Sequence, residues 1–365
     1  MSHRSAVPQR KTHRLAERAL RHAMSFALMG ALMIAFIVPA PAQAQAPEAV
    51  INLYSARHYQ TDEALYENFT RQTGIQIKRI ELKDESLLQR LAAEGRNSPA
   101  DVVLLVDAAR LWRAQSEGLF SPVDSARLRQ RIPEHLRAPD DAWFGFSTRA
   151  RVIVYNKASV KPEAVDSYEK LAQPHNKGKV CTRSASHPYM LSLVGSLIER
   201  LGLEATESWA RGMVANLARP PQGGDTDQIR AVASGECAVA LTNSYYWVRL
   251  MRSDKPEDQA VVRQVGFLWP NQQSSGAHIN ISGGAVAKHA PHRAAAVRFL
   301  EYLASDEAQR YFADGNNEWP AVESVITDNP ALRSLGAFKS ENTAISAIGK
   351  NQTEAQKLLD RAGYR

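Results

Sequence analysis

The chain of 365 residues is 44% hydrophobic and 23% charged, which excludes a disordered or fibrous polymer and leaves length for two domains. Its formal net charge of +7 invites a nucleic-acid reading, but that charge is unevenly placed. Arg4, Arg10, Lys11, Arg14, Arg18 and Arg21 stand against Glu17 alone in residues 1–44 and supply five of the seven positive charges, so the remainder is nearly neutral and offers no basic footprint for a nucleic acid.

Residues 1–44 read as a secretory leader. The basic stretch precedes the apolar run AMSFALMGALMIAFIV, followed by Pro39, Pro41 and the small-residue sequence AQA, with cleavage expected after Ala44. The apolar run is shorter than the roughly 20 residues a membrane helix needs. No cysteine follows it and no Arg-Arg pair precedes it, so neither a lipid anchor nor the twin-arginine route is indicated. An exported chain meets an oxidising compartment, where Cys181 and Cys237, the only two cysteines, are able to pair. A structural bridge is favoured over two free buried thiols, and two cysteines alone make no zinc site.

From Val50 the chain alternates strand-like and helix-like segments: VINLYS, TDEALYENFTRQTG, IQIKRIEL, ESLLQRLAAEG and DVVLLVD. Thr61 is placed to cap the first helix and Gly74 to end it. The unbroken apolar run 102–106 suits a strand covered on both faces. A second series runs through RVIVYNK, GKVCTRS, the helical YMLSLVGSLIERLG, ESWARGMVANLA and TDQIRAVASGE, and the strand CAVALTN. Then come VGFLWPN, the strand-like HINISGGAVAK, and HRAAAVRFLEYLASDEAQRYFADG, whose apolar spacing predicts one long amphipathic helix. This is an α/β pattern in two units. No flexible linker separates them, so short extended segments near 149–155 and 276–287 are expected to join two lobes, with ligand held in the cleft between them.

Three polar-aromatic groups follow strand-like runs: SARHYQ with His58 and Tyr59, RSASHPY with Tyr189, and LTNSYYWVRLM with Tyr245 and Tyr246. Two adjacent phenols are awkward in a core, because each buried hydroxyl needs a partner. In a continuing strand they point to opposite faces, whereas a helix capped by Asn243 or Ser244 places both in its first turn. A hard, highly charged cation rewards such a gathering, since phenolate oxygens are hard ligands and a bound metal displaces their protons. Several phenolates suit ferric iron better than zinc, which takes Cys, His and carboxylate, or calcium, which takes carboxylates and carbonyls. Arg249 stands four residues after Tyr245 and three after Tyr246, on their face if the segment is helical. His187 reads as a solvated loop residue. Trp112, Trp143, Trp209, Tyr54, Tyr66 and Tyr155 are assigned to packing.

In these stretches the chain resembles the periplasmic ferric-iron-binding proteins that serve bacterial ABC iron transporters. The resemblance spans roughly residues 50–319 and is strongest in NLYSARHY, STRARVIVYNK, GKVCTRSASHPY, GECAVALTNSYYWVRLM, HINISGGAVAKHAPH and NEWPAV. It implies a class II periplasmic-binding-protein fold, α/β, with two lobes, a central cleft and two hinge crossovers. The lobes then take residues 45–149 plus about 276–325, and 150–275 plus about 326–365. Ferric iron is the implied cargo, held by Tyr59, Tyr189, Tyr245 and Tyr246. His58 matches a position that is a ligand in some members and a bystander in others, and a small synergistic anion such as carbonate is a further candidate. Arg149 matches an arginine that borders the ligands or holds that anion. The sequence SASHPY departs from the family pattern just where Tyr189 is aimed. The resemblance further implies a periplasmic monomer without catalysis, which closes over the ion and passes it to a membrane permease powered by an ATPase. Release is then favoured by acid or by reduction.

An enzyme is the contrasting reading. SYEK at 167–170 matches the Ser-x-x-Lys pattern of penicillin-binding enzymes, but KTG is missing, and no G-x-S-x-G elbow or glycine-rich phosphate loop is present. A closer alternative is a substrate-binding protein for an organic cation or phosphonate-type ligand, with the tyrosines stacking on the cargo, because fold alone does not fix function.

Overall fold

Strand β5 carries the fold, because it is long enough to belong to two sheets in turn. The structure, a computed structural model, describes residues 50–57 and 62–365. The expected leader with cleavage after Ala44, His58, Tyr59 and the expected cap residue Thr61 lie outside the described residues.

The first series runs β1 (Val50–Ser55), α1 (Asp62–Thr73), β2 (Gln76–Glu81), α2 (Asp84–Glu94), β3 (Val102–Leu105), α3 (Ala108–Ser116), β4 (Phe120–Ser121), α4 (Ala126–Arg131) and β5 (Phe144–Asn156). The second runs α5 (Tyr168–Leu171), β6 (Val180–Cys181), α6 (Pro188–Leu201), α7 (Leu203–Asn216), α8 (Asp225–Ser234), β7 (Val239–Asn243), α9 (Ser244–Met251), α10 (Pro256–Gln264) and β8 (Val265–Leu268). Then follow β9 (Ile279–Ala287), α11 (Arg293–Leu303), α12 (Asp306–Asn316), β10 (Trp319–Pro320), α13 (Pro330–Ser334), α14 (Ile345–Lys350) and α15 (Gln352–Arg361). Among the described residues no helix is long and apolar enough to cross a membrane.

The strands lie in the order β2-β1-β3-β9-β5-β7-β6. β1 is parallel to both β2 and β3, and β3 is antiparallel to β9. β5 pairs with β9 from Phe144 to Ala150, then changes partners and pairs with β7 and β8 from Arg151 to Asn156. The run read as a doubly covered strand is β3, buried at all four positions, and the alternating segment is β2 with one face exposed.

α1 ends at Gly74, whose φ of 72° is the left-handed conformation that glycine adopts without strain, with its N–H donating to Thr70 O at 2.8 Å. The long helix expected over HRAAAVRFLEYLASDEAQRYFADG is instead two, α11 and α12. Ser305 breaks it by accepting the Ala308 N–H, and Asp306 and Glu307 follow in the new first turn, where acidic groups favour a helix start.

Separate cores fill the two halves. One gathers Leu53, Trp143, Phe144, Phe299 and Leu300; another gathers Tyr168, Leu193, Trp209, Leu241 and Leu358. Each such side chain contributes about 1.5–3 kcal/mol by leaving water. The C-terminal segment serves both: Ile345 and Ile348 of α14 pack into the first core and Leu358 and Leu359 of α15 into the second. α14 fits against α3 and α6 only because glycine stands at both contacts. A Cβ on Gly349 would lie 2.4 Å from Trp112 Cβ, and one on Gly195 would lie 2.8 Å from Ile348 O. Trp143 and Trp209 are buried, Trp112 is half-buried, and the buried Tyr54 donates its hydroxyl to Glu94. Cys181 and Cys237 form a disulfide with Cα atoms 5.8 Å apart, settling the open choice in favour of the bridge.

Candidate metal centre

β7 ends at Asn243 and α9 begins at Ser244 with no residue between them. Asn243 takes the N-cap position in extended backbone, so Tyr245 and Tyr246 fall in the first turn of α9. The turn is fixed against β5: Ser244 Oγ accepts the Ala150 N–H at 3.2 Å and Asn243 Oδ1 accepts from Arg151 at 3.1 Å. Tyr245 is buried and Tyr246 half-buried, their rings 4.2 Å apart and tilted by 30°.

Tyr189 reaches the same place from another helix start. Pro188 opens α6, where its fixed φ suits the first position, and His187 becomes the N-cap. His187 is therefore not a solvated loop residue. Its Nδ1 accepts the Tyr189 N–H at 3.2 Å and its ring meets the Tyr189 ring edge-on at 4.5 Å. Desolvation, with help from the charges of Arg183, Arg151 and Arg110, pushes its pKa down to about 3, so the ring is neutral. The result of the two helix starts is that the hydroxyls of Tyr189 and Tyr245 stand 2.9 Å apart.

Guanidinium groups surround the phenols. Those of Arg183, Arg149 and Arg151 lie 5.2, 5.8 and 6.0 Å from the centre of the Tyr189 ring. Arg249, exposed on α9, lies 5.8 Å from the Tyr245 ring and 5.4 Å from the Tyr246 ring. Cations at these distances are attracted to the ring faces. Arg149, Arg151 and Arg183 face buried carboxylates. Asp225 pairs with Arg151 at 2.8 Å and Arg183 at 3.6 Å and accepts the Asn243 N–H at 2.7 Å. Arg149 donates to Ser282 at 3.0 Å and lies 3.9 Å from Glu318, which also accepts from Ser147 at 2.6 Å. The disulfide joins β6, which leads to Tyr189, to the turn just before β7, which leads to the tyrosine pair.

Of the residues singled out in the sequence, Tyr189, Tyr245, Tyr246, Arg149 and Arg249 thus gather in one region, while His58 and Tyr59 lie outside the described residues. The stem beside them is described: buried Arg57 grips Asp62 through two nitrogens, at 2.9 and 3.2 Å, and stands 3.5 Å from Glu318. Arg57, Arg151, Arg183, Asp225 and Glu318 were not anticipated. One signal was available, since Arg149 and Arg151 alternate within a strand and so share a face. Among the described residues no three His, Cys, Asp or Glu side chains stand together as a metal-holding group; the oxygens that converge are phenolic.

Two α/β halves sharing one long strand, with polar groups gathered where that strand changes partners, define a class II periplasmic-binding-protein fold, two lobes around a cleft with crossover strands. The chain belongs to the bacterial extracellular solute-binding protein family, whose model matches residues 64–339. It is 50% identical over 315 residues to iron uptake protein A1 of Synechocystis sp., covering 86% of this chain and 87% of the relative. A Trichodesmium protein solved in complex with iron and citrate ligands superposes with a TM-score of 0.84 at 52% identity, covering 87% of this chain and 100% of the other. The ferric binding protein from Campylobacter jejuni superposes with a TM-score of 0.81 at 40% identity, covering 86% and 100%.

Proposed function

We propose that this protein captures ferric iron in the periplasm through tyrosine phenolates and delivers it to the permease of an ABC transporter driven by its ATPase. The observation that carries this reading is the 2.9 Å separation of the Tyr189 and Tyr245 hydroxyls inside a ring of guanidinium groups. Two oxygens bound side by side to a small octahedral cation, with bonds of about 2.0–2.1 Å, stand roughly 2.8–3.0 Å apart. The two phenols are already spaced as neighbouring ligands of one ion, and Tyr246 lies alongside. When a trivalent ion displaces their protons into solvent, the phenolates that bind it carry negative charge, which Arg149, Arg151, Arg183 and Arg249 offset.

The names of the relatives support iron as cargo, in particular the Synechocystis iron uptake protein and the Trichodesmium protein with iron and citrate. Tyr59 and His58, which lie outside the described residues, are the further ligands we propose, and Arg149 is the proposed partner of a small anion such as carbonate. The proposed lobe boundary near 149/150 is supported by the change of partners within β5 at Ala150 and Arg151, and a second is proposed near 275/276. The role is that of a monomeric carrier, with binding and release in place of catalysis.

Titration of the exported form with ferric citrate, followed by visible absorbance, tests the reading. Wild type is expected to take up one iron per chain and turn coloured through phenolate-to-iron charge transfer. Exchange of both Tyr245 and Tyr246 for Phe is expected to weaken colour and affinity together. A colourless wild type that takes up no iron overturns the reading in favour of an organic cation or phosphonate-type cargo.

A further inference from the structure

α6 is otherwise apolar on its buried side, yet it carries Tyr189, Ser192 and Ser196 at offsets of three and four residues, a single stripe along one face. Both serines are fully buried, and each donates its hydroxyl to a buried carboxylate from a distant part of the chain. Ser192 donates to Asp107 Oδ2 at 3.0 Å and Ser196 to Glu341 Oε2. Both carboxylates then reach the start of β9. Asp107 Oδ2 accepts from Asn280 Nδ2 at 2.8 Å, and Glu341 is joined to His278 Nδ1 and donates its own N–H to Ala277 O at 2.9 Å. Asn280 is the register partner of Arg149, and His278 O accepts the Arg151 N–H at 2.8 Å. These are two of the arginines that flank the Tyr189 ring. The contacts close a circuit from Tyr189 along α6, through two carboxylates to the crossover strands, and back to the ring.

Burying two carboxylates is costly unless donors satisfy them. For local stability an apolar stripe on α6 would serve as well or better, so the polar stripe calls for another explanation. We propose that Asp107 and Glu341 are positioning residues for iron, latching α6 to the crossover strands through Ser192 and Ser196 so that the Tyr189 oxygen is held beside that of Tyr245. This inference rests on the functional reading above. The carboxylates touch neither phenol and act through the helix; Asp107 also holds α3 by accepting the Ala109 N–H at 2.9 Å, so the latch reaches the opposite half of the molecule. Hydrogen-bonded partners of a ligand-bearing element orient the ligand and tune its grip on the metal.

A double-mutant cycle tests the latch. Ser192→Ala with Ser196→Ala is made in the wild-type background and in Tyr189→Phe, and ferric affinity is measured by citrate competition alongside the visible band and the melting temperature without iron. In the wild-type background the serine changes are expected to weaken ferric binding about tenfold and to shift the band. In the Tyr189→Phe background they are expected to add nothing, because the effect passes through the missing hydroxyl. Equal losses in both backgrounds, or no loss in the first, overturn the latch. Should the paired change prevent folding, Ser192→Ala and Ser196→Ala singly carry the same comparison. A wild type that takes up no iron overturns the functional reading and the latch with it, whereas a wild type and a serine variant that bind alike overturn the latch alone.

Discussion

The two helix starts that bring the phenols together are built in opposite ways. α9 follows β7 with no connecting residue, and its tyrosines are placed by backbone continuity from a strand in the sheet. α6 is reached from β6 through the six residues 182–187 and is aimed from behind, by side-chain contacts with Asp107 and Glu341. A strand-to-helix turn fixes two neighbouring residues to within a rotamer, whereas a helix at the end of a loop has a rotation and a slide that long-range contacts must settle. The difference teaches that one half of the proposed ligand wall is set by local structure and the other by tertiary structure.

That contrast can be broken from either side. The largest expected effect lies behind α9. Asp225→Ala leaves Arg151 buried without its carboxylate, and breaking a buried ion pair in this way is expected to lower unfolding stability by about 3–5 kcal/mol in chemical denaturation. Next, changing both Tyr245 and Tyr246 to Phe is expected to weaken ferric binding by at least about a hundredfold while the melting temperature without iron moves little. Tyr189→Phe, which removes one oxygen, is expected to cost less than that pair. If Tyr189→Phe costs more, α6 and not α9 supplies the dominant ligand.

Smaller effects sharpen the account. Arg249 is exposed and rests over two rings, so Arg249→Gln is expected to weaken iron retention only about two- to fivefold, with the colour kept. An unchanged dissociation rate would reduce Arg249 to surface charge. Behind α6, burial alone would raise the Glu341 carboxyl, but the facing His278, with Ser196 and Arg200, holds it below its ordinary value; Tyr168 is the other titratable group it faces. A carboxylate depressed in the folded state contributes stability that is full above its unfolded pKa and is lost as pH falls through the folded one. Glu341→Gln is therefore expected to flatten the loss of melting temperature below about pH 4.5 relative to wild type. Parallel acid limbs in the two proteins would count against the assigned charge.

What could be read in advance follows the same local-versus-distant line. The α/β alternation, the stop at Gly74 and the turn that carries Tyr245 and Tyr246 all depend on residues a few positions apart, and all are found in the structure. The break at Ser305 was local too, but the continuing apolar spacing of α11 and α12 masked a cap that Ser-Asp-Glu had spelled out. The capping role of His187 was hidden because histidine is not among the usual cap residues; Pro188 was the signal. The carboxylates were out of reach for a different reason. Ser192 and Asp107 are 85 residues apart and Ser196 and Glu341 are 145 apart, and no periodicity within one segment reports on such pairs. Arg183 and Asp225 likewise become partners only once β6 and β7 lie side by side.

The most direct measurement is the position of the ion itself. Crystals grown with ferric citrate and measured on both sides of the iron absorption edge are expected to show one strong anomalous peak in contact with the hydroxyl oxygens of Tyr189, Tyr245 and Tyr246. A peak seated on carboxylates elsewhere, with the Tyr189 and Tyr245 hydroxyls still bonded to each other, would contradict the account.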